Sequence, residues 1–316
     1  MPTFCRHNRF VQNCPICSRE QAAELRDVVS PAGSRPRASS RRSGQARSTG
    51  MQVRRLARGV DDGFNSPLIP GVKSSDDAVR LAEELAFAAA RLVRLESDPA
   101  GAYSDVAGEG DIEERTWLAF LIAYLCPVEG DDPFVGIRAA TPRSAGEEPD
   151  LADVPLGPRT AHVPARGART VDAYRAWAAR AGSQAAAFGG EPAWSPERRF
   201  ARAFERLALP GLERGARFDL LVSLGRLGVY DLRAGSLQFG GANETTLAAK
   251  RALGIGDTLL LDRRAAELAS AAGLPLEALD LGLHNWGAGV RCTMGLGPTT
   301  EGDPAVLDAT RGALGL

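Results

Sequence analysis

Ten consecutive apolar residues, Trp117 to Cys126 (WLAFLIAYLC), set the strongest constraint on how this chain can fold. The run is too short to span a membrane, yet it is apolar on every side. Asp111-Ile112-Glu113-Glu114 precedes it, with acids suited to the start of a helix, and Pro127 ends it. A helix with no polar face must be enclosed by other elements, so the chain needs a central buried helix and a shell around it. The shell is readable in the same way. Ser74-Ser75-Asp76-Asp77 is a capping cluster ahead of Leu81, Leu85, Ala88, Leu92 and Leu95, which share one helical face. Thr170 opens a helix with Tyr174, Trp177 and Ala181. Ser195-Pro196-Glu197 places an N-cap before a first-turn proline, followed by inward Phe200, Phe204 and Leu207. Residues 215–227, 241–254, 261–273, 275–286 and 304–314 read as further helices joined by glycine turns. Residues 130–168 are rich in Pro, Gly and acids and read as loop. Only 133–140 and 228–238 show a period-two pattern. The expected fold is mainly α, with a body that begins near Ser66.

The 316 residues are 44% hydrophobic, enough for a substantial core. The N-terminus has a different character. Cys5, His7, Cys14 and Cys17 lie in FCRHNRFVQNCPICSRE, which gathers three of the five cysteines and one of the three histidines. C-x-H followed by C-P-I-C supplies four ligands, the number that a closed tetrahedral zinc site requires. Zinc is the expected metal, about one per chain, in a structural role because no coordination position is left for substrate. A short helix follows, with Ala22, Leu25 and Val28 or Val29 on its apolar face. Between Pro31 and Val60 stand eight arginines (35, 37, 41, 42, 47, 54, 55, 58) and no acid. Such a segment cannot bury enough surface to order itself; it reads as a tether, a basic arm on nucleic-acid phosphates, or both. The expected organisation is a zinc knuckle (1–29), an Arg-rich disordered linker (30–66) and a helical domain (67–316). Cys126 and Cys292 are too few for a disulfide framework and read as small buried hydrophobes in a reducing compartment. With no apolar leader at the N-terminus, the expected location is cytoplasmic, on nucleoid or phage DNA.

The segment that bears on chemistry is LQFGGANETTLAAKRALGIGDTLLLDRRAAELA, residues 237–269. Gly240-Gly241 forms a tight turn that feeds a helix from Glu244 to Leu253, closed by Gly254. The short apolar run Leu259 to Leu261 precedes Asp262, read as the start of a helix with Arg263 and Arg264 in its first turn. A glycine turn that leads into a helix N-terminus concentrates backbone N–H groups and a positive dipole, where a phosphate can sit. By spacing alone, an ordinary helical hairpin with Asp262 as an N-cap is the favoured reading, since capping aspartates are common.

This segment resembles the helix-hairpin-helix DNA glycosylase core. Gly241 stands at the last hairpin glycine, Leu253-Gly254 at the F-G turn, and Asp262 at the catalytic aspartate. Phe239 replaces the first hairpin glycine, the turn before Asp262 is one residue longer, and Asn243 takes the place of the lysine of lyase-type members. The N-terminal cysteine element and the C-terminal LHNWG make the whole chain similar to the α-glutamyl/putrescinyl thymine pyrophosphorylase-like group, a branch of that class associated with hypermodified bases in phage DNA and with anti-phage defence. The resemblance implies a monofunctional DNA N-glycosylase, a hydrolase acting by base flipping on double-stranded DNA. Its target would be a hypermodified pyrimidine such as glycosylated hydroxymethylcytosine or a substituted thymine. It implies Asp262 as the catalytic carboxylate, with Asp257 as a rival. Gly240, Gly241, Asn243, Thr245, Lys250, Arg263 and Arg264 become DNA contacts, and Trp117, Tyr124, His284 and Trp286 become base-pocket walls. Two other readings stay open at this point: a transferase that displaces pyrophosphate with an amine on a 5-substituted thymine, and a non-catalytic DNA-binding zinc protein.

Overall fold

Side-chain caps set most of the helix starts. The structure, a computed structural model, describes residues 59–140, 146–152, 154–297 and 303–316. The proposed zinc ligands Cys5, His7, Cys14 and Cys17 and the arginines up to Arg58 lie outside the described residues. Among the described residues there are twelve helices and no strand: α1 (Ser75–Ser97), α2 (Ala102–Ala107), α3 (Ile112–Leu125), α4 (Val135–Arg138), α5 (Gly167–Arg180), α6 (Gln184–Gly189), α7 (Pro196–Arg206), α8 (Arg214–Arg226), α9 (Glu244–Leu253), α10 (Thr258–Ala272), α11 (Ala278–Ala288) and α12 (Pro304–Leu314). The mainly α class expected from the sequence is what the fold shows. Ser74 caps α1 by accepting from Asp77 N–H, Asp111 caps α3 through Glu113 N–H, and Ser195 caps α7 through Arg198 N–H. The two period-two segments do not form strands. Residues 133–140 carry the one-turn helix α4, and 228–238 run as irregular chain between α8 and α9. Because tertiary neighbours decide short apolar segments, periodicity over so few residues does not settle their state.

α3 is the buried centre that its sequence demands: every residue from Trp117 to Leu125 except Leu118 is buried. It packs on α2, α4, α6 and α8, and its aromatics join α5 in a stack. Phe120 lies flat on Tyr174 with ring centroids 3.8 Å apart, and Trp117 stacks on Phe120 at 5.3 Å. A second group forms where α1 packs against α11 and α12, and α11 against α9. Two glycines allow these crossings. A Cβ on Gly282 would come within 2.8 Å of Leu85 Cδ2 and 3.1 Å of Glu84 O of α1, and one on Gly287 within 2.7 Å of Ala248 Cβ of α9. Contacts between α1 and α8 join the two groups.

Much of LHNWG is therefore structural. Asn285 donates to Glu84 at 3.0 Å and accepts from Cys292 N–H. The Trp286 indole donates to Asp77 O at 2.9 Å, and Arg251 lies over its ring at 3.7 Å. Among the described residues no helix is long and apolar enough to cross a membrane.

Candidate active site

The glycine turn and α9 form as the sequence predicts. Gly241 takes φ +67, Asn243 caps α9 by accepting from Thr246 N–H, and Gly254 ends the helix in the left-handed region. The next element differs. Asp257, not Asp262, caps α10, accepting from Leu259 and Leu260 N–H, so the helix starts earlier than expected. The Leu259–Leu261 run is its first turn, and Asp262 lies one turn inside. Asp257 is exposed, and its Oδ1 is engaged as the cap.

Its position inside the helix turns Asp262 toward the chain before the glycine turn. Its Oδ1 accepts Leu237 N–H at 2.9 Å. Asp262 lines a cleft of about 460 Å³ together with Gly240, Phe239, Phe204, Arg214 and Arg217, within the size range of small-ligand sites. Burial raises the Asp262 pKa above the ordinary carboxylate value, and the Leu237 amide and Arg214 oppose the rise. Gln238, on the same wall, holds φ +53, a strained value for a residue with a side chain.

Arg214 joins this cleft to a buried charge cluster that the sequence reading missed. Its guanidinium donates to Leu237 O and Gln238 O, lies over the rings of Phe218 and Phe239, and pairs with Asp280 of α11. Asp280 also pairs with Arg159, whose Nε donates to Asp219 of α8 at 2.6 Å. Arg159, Asp219 and Asp280 are nearly inaccessible to solvent. Burial opposes the charge on Asp280, but Arg214 and Arg159 outweigh it and hold its pKa below the ordinary value. At Asp219 burial wins over Arg159 and the pKa rises. Burial likewise works against the Arg159 charge, yet the two carboxylates raise its pKa. Arg159 is held in place by backbone pairing between the segment 157–161 and the end of α3: Gly157 N–H bonds Cys126 O at 2.6 Å and Ala161 N–H bonds Tyr124 O at 3.0 Å. A Cβ on Gly157 would lie 2.2 Å from Cys126 O, so glycine alone permits this approach.

On the other side of the glycine turn is a second cavity, about 250 Å³, lined by Arg159, Thr245, Asn243, Glu213, Glu244 and His284 among others. His284 is buried, and among the described residues its Nε2 has no hydrogen-bond partner. Burial, with Arg159 and Arg214 adding to it, drives the imidazole pKa down to about 3, so the ring is neutral.

The other candidates divide between surface and core. Gly240 lies in the Asp262 cleft and Gly241 is exposed at the turn. Thr245 is buried, and its hydroxyl accepts from Arg159 at 3.4 Å beside the second cavity. Lys250 is in the last turn of α9. Arg263 and Arg264 are exposed and both pair with Glu267, away from the cleft. The four proposed base-pocket walls do not meet. Trp117 belongs to the α3–α5 stack, and the buried Tyr124 hydroxyl meets His162 Nδ1 at 3.1 Å. Trp286 packs under Arg251, and His284 faces the second cavity. The rings that border Asp262 are Phe204 and Phe239. One sequence signal marked the cluster: Asp219 in RFDLLVSL and Asp280 in ALDLGL are carboxylates inside otherwise apolar helical runs, and an unpaired acid there would be too costly. No family model, curated protein or solved structure matches this chain.

Proposed function

We propose that this chain is a DNA N-glycosylase-like hydrolase that extrudes a hypermodified pyrimidine from the duplex and excises it, with Asp262 as its catalytic carboxylate. One observation carries the reading: the Asp262 carboxylate shares a cleft with Gly240 of the glycine turn and with two arginines, Arg214 and Arg217. Cleavage of an N-glycosidic bond develops positive charge on the sugar, which an adjacent carboxylate stabilises while it orients water. Water adds across the bond: C1′ gains the hydroxyl, the base leaves with the proton, and an abasic site remains. A carboxyl with a raised pKa suits the proton-accepting part of that role. Phe204 and Phe239 offer apolar faces to an extruded base, a step that costs a few kcal/mol, and the first-turn amides of α9 offer donors to a phosphate. Three thiolates and an imidazole at Cys5, His7, Cys14 and Cys17 are a donor set suited to one structural zinc. With the arginines of residues 30–66, that module would hold the DNA backbone.

The test uses the full chain and DNA carrying phage-type hypermodified pyrimidines. Mass spectrometry is expected to find released base, and alkali is expected to cleave the strand at the same positions. Asp262→Asn keeps an acceptor for Leu237 N–H, so it should fold normally while base release falls at least about 100-fold. Bases that gain an amine without loss of the sugar–base bond would replace this reading with a transferase. Salt-dependent DNA binding with no change in any base would replace it with a binding protein.

A further inference from the structure

Two thiols that the proposed reaction does not use lie behind Arg159. Cys126 follows the last residue of α3 and Cys292 follows α11. They are 166 residues apart in sequence, both are buried, and their Sγ atoms are 3.3 Å apart. Both are buried, as the sequence reading of small buried hydrophobes expects, and their juxtaposition is a contact that the sequence did not show. Cys126 adopts φ +53, a left-handed conformation in which glycine is the usual residue. A side chain retained at such strain points to a use for that side chain. Cys292 N–H is fixed by Asn285 Oδ1 at 3.0 Å. The surroundings are short of negative charge. Among the described residues, Arg91, Arg159 and Arg214 are buried against two buried carboxylates, Asp219 and Asp280, and Arg91 Nε and Nη2 have no hydrogen-bond partner. A thiolate at Cys292 would balance the set. The Cys126 hydrogen bond and then Arg159 lower the Cys292 pKa against burial, while the same contact and burial raise that of Cys126. The positive charges of Arg159 and Arg91 act on the Cys292 sulfur and favour its thiolate, the form that attacks.

We propose that Cys126 and Cys292 form a redox-active dithiol that a hydroperoxide closes to a disulfide. The Cys292 thiolate attacks one peroxide oxygen, the O–O bond breaks, and the alkoxide leaves as alcohol after taking a proton; Cys292 becomes a sulfenic acid. The Cys126 sulfur then attacks Cys292 Sγ, the S–O bond breaks, and water leaves with the Cys126 proton. The two sulfurs lose two electrons, the peroxide gains them, and the products are a disulfide, an alcohol and water. The sulfurs need only close from 3.3 Å to the bonded distance of about 2.0 Å. Closure removes the thiolate and leaves the cationic excess next to Arg159, which lines the His284 cavity.

The experiment treats the reduced full chain with hydrogen peroxide, quenches with acid, alkylates, and maps cysteines by mass spectrometry. The expected product is a Cys126–Cys292 cross-linked peptide that dithiothreitol abolishes and that Cys292→Ser cannot form. In Cys126→Gly, a substitution the left-handed backbone accepts, Cys292 should stop at a sulfenic acid that dimedone traps. Free thiols at both positions after a dose that oxidises Cys5, Cys14 or Cys17 would overturn the proposal, as would linkage of either residue to one of those three. The readout does not depend on base excision, so it stands or falls separately from the proposed function.

Discussion

Two carboxylates border Arg214 and have opposite fates. Asp280, near the start of α11, is almost fully enclosed, pairs with Arg214 and Arg159, and is held charged. Asp262, one turn inside α10, is half-buried, accepts a single backbone N–H among the described residues and lines a cleft where burial makes its charge less favourable. Both are acids in helices beside the same arginine, and the difference is in how completely each is satisfied. A buried carboxylate with an arginine paired to each oxygen is structural, because removing either partner strands buried charge. A carboxylate with one lasting contact and open space beside it is free to act on a ligand.

The largest expected effect breaks the structural half of that comparison. Asp280→Asn leaves Arg159 and Arg214 without their shared counter-charge, and should lower the unfolding free energy by about 3–5 kcal/mol in urea titrations. A loss below about 1 kcal/mol would mean that the cluster relaxes or hydrates, and that the contrast with Asp262 is false. An intermediate effect sharpens the role of burial. His284 titrates at about 3 in the folded chain against the ordinary 6.5. Between these values the unfolded chain binds the additional proton, so stability falls as pH drops from about 6.5 to about 3. The contribution is roughly 2–4 kcal/mol at the acid end. His284→Gln should flatten that part of the pH profile relative to the unsubstituted chain; parallel profiles would show that the imidazole is solvated. The smallest effect concerns the exposed arginines. Arg263→Ala and Arg264→Ala break surface pairs with Glu267 and should each change stability by less than about 0.5 kcal/mol. If either also leaves the salt dependence of DNA binding unchanged, phosphate contacts belong to the cleft arginines instead.

Local chemistry was legible wherever one turn of chain carried the signal. Asn243 and Gly254 bound α9 where the sequence places them, and Ser74, Asp111 and Ser195 cap their helices. The start of α10 was misread because Asp257 and Asp262 are both plausible caps, and the choice rests on which acid can reach Leu237. Where the four base-pocket candidates sit is also a matter of packing, and Trp286 and His284 each line a cavity. Trp117, Tyr124 and Trp286 are large and apolar whether they line a cavity or fill a core, and packing partners distant in sequence decide between the two. Arg159 left no periodic trace, since it lies in a loop held to the end of α3 by backbone pairing.

By itself, the sequence determined a helical body built round an apolar helix at 117–126, a glycine turn that feeds a capped helix, and an N-terminal ligand set fit for zinc. These follow from caps, period and donor spacing, all of which act over a few residues. Only the tertiary structure decided which acids are neutralised and which face open space, and that Cys126 meets Cys292. Those outcomes depend on desolvation and on contacts between residues 25 to 166 positions apart, and local sequence patterns carry neither.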